Sequence, residues 1–179
     1  MVQDAGCGKV DLKPIYSGEV REIEFSFELP DEQYGFSDIS FDVPVKVCGI
    51  VTRKASGKDR NEGYTELSLT VTASVTTECA RCLEQVKEKL TYTKAYGLTE
   101  TRVSEDSEDY ITTENGVLDA LDVARTLLLL NIPMRFLCRE DCAGLCSGCG
   151  ANLNNEKCKC TEKEIDPRLA VLKNLKFDD

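Results

Sequence analysis

The chain has 179 residues, ten cysteines and no histidine, and its 32 acidic and 22 basic residues give a net charge of −10. This length suits one domain with a hydrophobic core and a small appendage. The acidic balance argues against direct binding to DNA, because phosphate contacts need clustered Lys and Arg. The absence of histidine excludes Ser-His and Cys-His nucleophiles, and we expect a protein that is not an enzyme.

Alternating apolar residues predict four β-strands in the first hundred residues. The apolar positions are Ile23, Phe25, Phe27 and Leu29, then Ile39, Phe41, Val43, Val45 and Val47, then Leu67, Leu69, Val71, Ala73 and Val75, then Leu90, Tyr92, Tyr96 and Leu98. Pro44 indicates an edge strand or a bulge, because proline has no N–H to donate. Cys48 and Gly49 break the second alternation, and Cys48 is interpreted as a small buried apolar residue. Four strands with short links predict an antiparallel sheet or a small open barrel.

An acidic segment follows the strands. Residues 100–122 carry eight acidic residues and one basic residue, which is typical of a solvated loop that runs into a helix start. The next sequence, GVLDALDVARTLLLLNIP at 116–133, has the apolar spacing of a helix that packs on the sheet, and Pro133 ends it. A short C-terminal helix is predicted at 166–179, with Asp166 as its N-cap and Pro167 at its first position.

These elements predict an α+β fold in three parts. Residues 1–135 form a core of sheet and packed helix, residues 136–165 form a cysteine-rich zinc module, and residues 166–179 form the C-terminal helix. No run of about eighteen apolar residues is present, so we expect no membrane span. The first residues show no secretory signal, and we expect a cytoplasmic protein.

Eight of the ten cysteines occur at metal-binding spacings. CARC contains two of them, and CREDCAGLCSGCGANLNNEKCKC, from Cys138 to Cys160, contains six in the pattern C-x3-C-x3-C-x2-C-x8-C-x-C. A C-x2-C turn directs two sulfurs to one point, and Zn²⁺ takes four such ligands. The candidate metal ligands are therefore Cys79, Cys82, Cys138, Cys142, Cys146, Cys149, Cys158 and Cys160. Cys7 has no near cysteine neighbour and is interpreted as a bystander thiol.

Clustered cysteines without an export signal favour metal over disulfides. Zinc is the expected cofactor, as one or two ions, and an iron–sulfur cluster is the rival interpretation. Two partitions of the ligands remain open. In the first, Cys79 and Cys82 share an ion with Cys138 and Cys142, and the four cysteines from Cys146 to Cys160 hold a second ion. In the second, only the latter four bind zinc.

A site with four cysteine ligands has no open position for water or substrate, so it is structural. One alternative stays open. The cysteine-rich module could belong to a zinc- or redox-responsive regulatory protein, in which oxidation ejects the metal.

The order of several motifs resembles a known family. CARC after an alternating strand, then NIPMRFLC, then CAGLCSGCGANLN and CKC, and finally DPRLAVLKNL, are similar to the bacterial YceD family, also called large ribosomal RNA subunit accumulation protein. The resemblance covers nearly the whole chain. It implies a cytoplasmic role in the accumulation of large-subunit ribosomal RNA, without defining a biochemical activity.

The resemblance and the charge together suggest an indirect role. A family linked to ribosomal RNA implies a basic surface, whereas this chain is acidic. Our hypothesis is that the protein assists ribosome assembly by contacting a protein, such as a basic ribosomal protein, or a pre-ribosomal particle, attracted by residues 100–122. The sequence leaves open whether the chain touches RNA directly.

Overall fold

The computed structural model describes the backbone of residues 2–4, and residues 8–29, 39–55, 63–100 and 109–160. The chain divides into two compact units, residues 1–77 with 86–134, and residues 78–85 with residues from 135 onward. The predicted C-terminal helix, Cys7 and residues 101–108 of the acidic segment lie outside the described residues. No helix in the described part of the chain is long and apolar enough to cross a membrane.

The described strands and helices lie almost entirely in the first unit. In chain order the strands are β1 (Val2–Asp4), β2 (Lys9–Asp11), β3 (Glu22–Glu28), β4 (Ile39–Phe41), β5 (Lys46–Ala55), β6 (Gly63–Glu78), β7 (Gln85–Thr99), β8 (Tyr110–Thr112) and β9 (Val117–Asp119), and the helices are α1 (Lys13–Tyr16) and α2 (Ala120–Asn131).

The main sheet has seven strands in the order β1–β3–β5–β6–β7–β8, and β4 pairs with the C-terminal end of β6. The pairs β3–β5, β4–β6 and β5–β6 are antiparallel, while β1–β3 and β7–β8 are parallel. Strands β2 and β9 form a separate antiparallel pair. The α+β class is therefore confirmed with an open sheet, and the sheet is mixed because two short strands add in parallel.

The predicted alternation identifies the buried face of the sheet. In β3 the buried residues are Ile23, Phe25 and Phe27, with exposed Glu and Ser between them. In β6 every second residue from Thr65 to Thr77 is buried. Because side chains alternate between faces along a strand, these two strands place one continuous apolar row each on the same core.

The segment 39–47 is interrupted, where the alternation predicted one strand. Strand β4 ends at Phe41 and β5 begins at Lys46, with Pro44 in the break, and Val43 is 49% exposed. The break is stabilised locally, because Asp42 donates its N–H to the Ser74 carbonyl.

Cys48 is exposed, so the prediction of a buried residue is wrong. It pairs with Ser26 of β3, and both side chains point to the outer face of the sheet. Strand β5 also continues through Gly49, where Phe25 of the neighbouring strand occupies the space that a side chain would need.

Helix α2 is shorter than the predicted 116–133. It begins after Asp119, whose side chain accepts the N–H of Asp122, and it ends at Asn131 before Pro133. Leu118 fits the helical spacing but lies in β9, where it pairs with Val10. Buried residues on the helix are Ala120, Ala124, Leu127 and Leu128.

We predict that Gly49→Ala destabilises the first unit by about 1–3 kcal/mol, because the added methyl would lie 2.1 Å from the Phe25 ring and force it to move. Urea denaturation of the full chain measures this. Ile50→Ala is the matched control, since the Ile50 side chain is 41% exposed and should cost less. Equal stability of the two variants would contradict the close packing at Gly49.

Candidate metal centres

All eight predicted ligands lie in the second unit, in two groups of four. The first group contains Cys79, Cys82, Cys138 and Cys142, whose sulfur atoms all lie within 4.8 Å of one another. The Cys79 and Cys142 sulfurs are 3.8 Å apart, and the Cys82 and Cys138 sulfurs are 3.6 Å apart. The connection between β6 and β7 thus meets a segment about sixty residues later in the chain.

The second group is local in sequence and contains Cys146, Cys149, Cys158 and Cys160. Its sulfurs are also within 4.8 Å of one another. The Cys146 sulfur lies 3.3 Å from that of Cys158 and 3.8 Å from that of Cys160, and the Cys149 and Cys158 sulfurs are 4.0 Å apart.

These distances fit one four-coordinate metal ion in each group. A tetrahedral ion with metal–sulfur bonds of about 2.3 Å places its ligand sulfurs about 3.8 Å apart. A disulfide needs a sulfur–sulfur distance of about 2.05 Å, and all nine described cysteines are free thiols. The two groups are those of the first partition predicted from the sequence, in which Cys79 and Cys82 join Cys138 and Cys142. Cys48 belongs to neither group.

Both C-x2-C turns have the same backbone hydrogen bonds. In the first turn, Leu83 N–H donates to the Cys79 carbonyl (3.0 Å) and Cys79 N–H donates to the Glu84 carbonyl (2.8 Å). In the second turn, Gly150 N–H donates to the Cys146 carbonyl (2.9 Å), and Cys146 N–H donates to the Ala151 carbonyl (2.8 Å). Gly150 adopts a left-handed conformation with φ of 70°, which suits glycine.

This turn directs backbone N–H groups at its first sulfur and thereby stabilises a thiolate. Burial raises the pKa of the Cys79 thiol, but N–H donors from Cys138, Arg81 and Cys82 outweigh burial and lower the pKa to about 6.

Backbone N–H groups act on Cys146 of the second turn in the same way. The N–H groups of Cys149 and Gly148 lower the pKa of the Cys146 thiol to about 6. Each group therefore contains one thiol that is ionised at neutral pH before a metal binds.

Each group also contains one thiol whose pKa is raised far above its usual value, Cys138 in the first group and Cys160 in the second. Burial and the neighbouring Cys82 and Cys142 thiols raise the pKa of Cys138 to about 12. Neighbouring sulfurs, with Cys158 the largest contributor, raise the pKa of Cys160 to about 12. Without a cation, four negative sulfurs so close together repel one another, and one in each group stays protonated.

Asparagines between Cys149 and Cys158 connect the second group's loop to the first group. Asn154 Nδ2 donates to the Cys142 sulfur at 3.3 Å, which lowers the pKa of that thiol. Asn154 Oδ1 accepts from Arg139 Nη2 (2.7 Å) and from the Ala143 N–H (2.8 Å). The Asn152 and Asn155 amides donate to Glu84 Oε1 at 2.9 and 3.1 Å.

Arg81 fixes the other side of the first group. Its Nη1 donates to the Glu140 and Cys142 carbonyls at 3.2 and 2.9 Å, so the CARC turn holds the backbone that carries the later ligand. None of these supporting residues was predicted from the sequence. The only signal for them was the asparagine-rich segment NLNN inside the C-x8-C spacing.

The second unit has very little apolar core of its own. Among its described residues, the buried apolar side chains are Phe136 and three metal-site cysteines, Cys79, Cys82 and Cys142. A domain with so few buried groups needs cross-links, and a bound metal supplies them. The two groups differ in exposure, because three cysteines of the first are buried whereas Cys149 and Cys158 of the second are exposed.

We predict that Cys142→Ser and Cys158→Ser each lose one of two bound metal ions, because each variant removes one ligand from a different group. Elemental analysis of the purified variants measures this. Cys48→Ser is the control and should keep both ions. Loss of both ions in Cys158→Ser with none lost in Cys142→Ser would contradict the two-group assignment.

We further predict that metal affinity rises with pH between about 6 and 8. At these pH values the Cys138 and Cys160 thiols must lose a proton to bind, so each proton displaced contributes about tenfold per pH unit. Below about pH 6 the dependence should steepen, since Cys79 and Cys146 also become protonated. Competition with a chromophoric chelator measures the affinity, and a flat profile from pH 6 to 8 would contradict this assignment.

Comparison with known proteins identifies a family and several relatives. Residues 67–176 match the model of the family described as "Large ribosomal RNA subunit accumulation protein YceD". An uncharacterised protein of Mycobacterium tuberculosis is 36% identical over 114 residues, covering 58% of this chain and 51% of that protein. One from Mycobacterium leprae is 31% identical over 116 residues, covering 62% and 52%.

A plant protein is similar over a shorter segment. The "Large ribosomal RNA subunit accumulation protein YCED homolog 1, chloroplastic" of Arabidopsis thaliana is 42% identical over 52 residues, covering 29% of this chain and 16% of that protein. The chain spans about half the length of the mycobacterial relatives it matches. No solved structure matches it. Because the family model covers more than half of the residues, the chain belongs to the YceD family.

Proposed function

We propose that this chain is a non-enzymatic, zinc-binding factor that supports accumulation of large-subunit ribosomal RNA in the cytoplasm, acting through contacts with proteins. The observation that carries the proposal is the pair of four-cysteine groups in a chain of the YceD family. The name of the Arabidopsis relative, which matches over a short segment, agrees with a role in the accumulation of large-subunit ribosomal RNA.

The geometry supports zinc as the metal. Four thiolates that meet at one point suit a tetrahedral d¹⁰ ion. An iron–sulfur cluster distributes its four cysteines over two or more iron atoms, whereas all four sulfurs of each group lie close enough to bind one ion.

The ligand set supports a structural role for the metal. All four positions of a tetrahedral ion would be taken by cysteine, so no position is left for a substrate or an activated water. The chain also has no histidine to act as a general base.

The charge supports a protein partner over direct contact with RNA. The chain carries ten more acidic than basic residues. Within the described part of the second unit, five basic residues are balanced by five acidic ones, and phosphate binding needs an excess of Lys and Arg. A basic ribosomal protein, or a pre-ribosomal particle that displays one, is the partner that this charge favours.

We predict that reversing three charges in the acidic segment, with Glu105, Asp106 and Glu108 changed to Lys, reduces the ratio of large- to small-subunit ribosomal RNA. The reversal removes the attraction for a basic partner. The measurement is the RNA ratio in a strain that lacks the gene and expresses either wild type or the variant. Asp109 is left unchanged because it pairs with Lys94 at 3.8 Å.

The matched control reverses Glu19, Glu24 and Glu28, which are exposed acidic residues in β3 and in the segment before it. It makes the same change in net charge and should restore the RNA ratio. If both variants restore it fully, the acidic segment has no role in partner binding. If wild type itself does not restore the ratio, the proposed function is wrong.

A second candidate function is a redox-responsive regulator, and one observation favours it. Cys149 and Cys158 of the second group are exposed, so an oxidant can reach them. Brief peroxide treatment of the same strains separates the two functions. During the treatment, a regulator would release its metal and the ratio of large- to small-subunit ribosomal RNA would change. A structural factor would keep both ions, and the ratio would stay the same.

A further inference from the structure

The two metal-binding turns provide an internal comparison, because their backbone hydrogen bonds are equivalent. In both turns the residue after the second cysteine donates its N–H to the carbonyl of the first cysteine, at 3.0 Å for Leu83 and 2.9 Å for Gly150. In both turns this residue is left-handed, with φ of 60° for Leu83 and 70° for Gly150. The same left-handed conformation is therefore adopted by glycine in one turn and by leucine in the other.

Leucine is the unfavourable choice at this position. A left-handed backbone brings the Cβ atom of an L-residue too close to the following carbonyl oxygen, and glycine avoids the clash. Burial does not explain the leucine, because the Leu83 side chain is 58% exposed. Folding of the turn therefore needs no leucine, and a strained leucine that is exposed at the surface points to a function.

Two further exposed leucines lie on segments bonded to this turn. Leu145 donates its N–H to the Arg81 carbonyl at 3.0 Å, and Asn152, which precedes Leu153, donates its side-chain amide to Glu84 at 2.9 Å. Leu145 and Leu153 are each 37% exposed. The unit therefore exposes three leucine side chains although its apolar core is very small.

The charge of the second unit indicates what kind of protein would bind there. The five acidic and five basic side chains in its described residues cancel, and each zinc ion held by four thiolates adds a net charge of −2. The zinc-loaded described part of the unit is therefore anionic by about four charges. A second copy of the chain would bring the same negative charge, whereas a cationic protein would be attracted.

We propose that the exposed side of the CARC turn is a docking surface for a basic protein, with Leu83 as the apolar anchor that enters a pocket of the partner. Protein interfaces have an apolar centre and a polar rim, and Leu83 would supply an apolar side chain for that centre. This inference rests on the proposed function, because a charge of about −4 requires both zinc ions.

The test uses total protein extracted from purified large ribosomal subunits of the source organism as the probe. The extract is passed over the immobilised, zinc-loaded full chain, and retained proteins are identified by mass spectrometry. The identified protein is then titrated against wild type, Leu83→Gly and Leu130→Ala. Leu130 is the control because it is a 79% exposed leucine outside the second unit.

We expect a basic ribosomal protein to be retained in a salt-sensitive manner. Leu83→Gly should weaken its binding by about tenfold or more, whereas Leu130→Ala should bind like wild type. Leu83→Gly should also keep both zinc ions and a thermal midpoint at or above that of wild type, because glycine fits the turn. Loss of binding then reflects the missing side chain and not a misfolded unit.

Three results would overturn the inference. The first is binding of Leu83→Gly with wild-type affinity, and the second is that the column retains no basic protein. The third is that a photo-crosslinker at position 83 reacts only with residues 161–179 or with a second copy of the chain. The proposed function fails separately, since it requires zinc in wild type and a restored RNA ratio. A chain that meets both requirements but binds equally well without Leu83 would disprove only the docking surface.

Discussion

The convergence of four cysteine sulfurs on one point is the constraint on which the second unit depends. Four thiolates within 4.8 Å repel one another strongly, and a divalent cation converts this repulsion into a cross-link. The described part of this unit buries one large side chain, Phe136, besides its cysteines, so apolar burial contributes little to its stability. Metal binding by structural zinc sites is worth about 10–16 kcal/mol in small domains, far more than one buried phenylalanine. The fold of this unit and the filling of its sites are therefore expected to be a single event.

The supporting residues show how the two groups share one framework. Asn154 belongs by sequence to the loop between two ligands of the second group, yet it donates to a sulfur of the first. Glu84 follows the CARC turn and accepts from two asparagines of the same loop. Because these contacts connect the groups, ordering of one group favours the geometry of the other. Three cysteines of the first group are buried, whereas Cys149 and Cys158 of the second group are exposed to solvent.

Local patterns predicted part of this structure, and long-range pairing accounts for the rest. The buried rows of β3 and β6 followed from period-two alternation, because that period is a property of a single strand. Cys48 and Leu118 were assigned wrongly, because the first depends on its register with Ser26 and the second pairs with Val10 in a strand distant in sequence. The second cysteine group was visible from spacing alone. The joining of Cys79 and Cys82 to Cys138 and Cys142 was one of two open partitions, and the left-handed conformation of Leu83 had no signal in the sequence.

Native mass spectrometry of the anaerobically purified chain is the most direct test that the eight cysteines form two four-thiolate zinc sites. It measures bound metal, inorganic sulfide and disulfides on the same molecules. The account predicts a mass increase equal to two zinc ions less the protons they displace, with no sulfide and no disulfide after the metal is removed. A single zinc ion, iron with sulfide, or a metal-free chain with paired cysteines would contradict it.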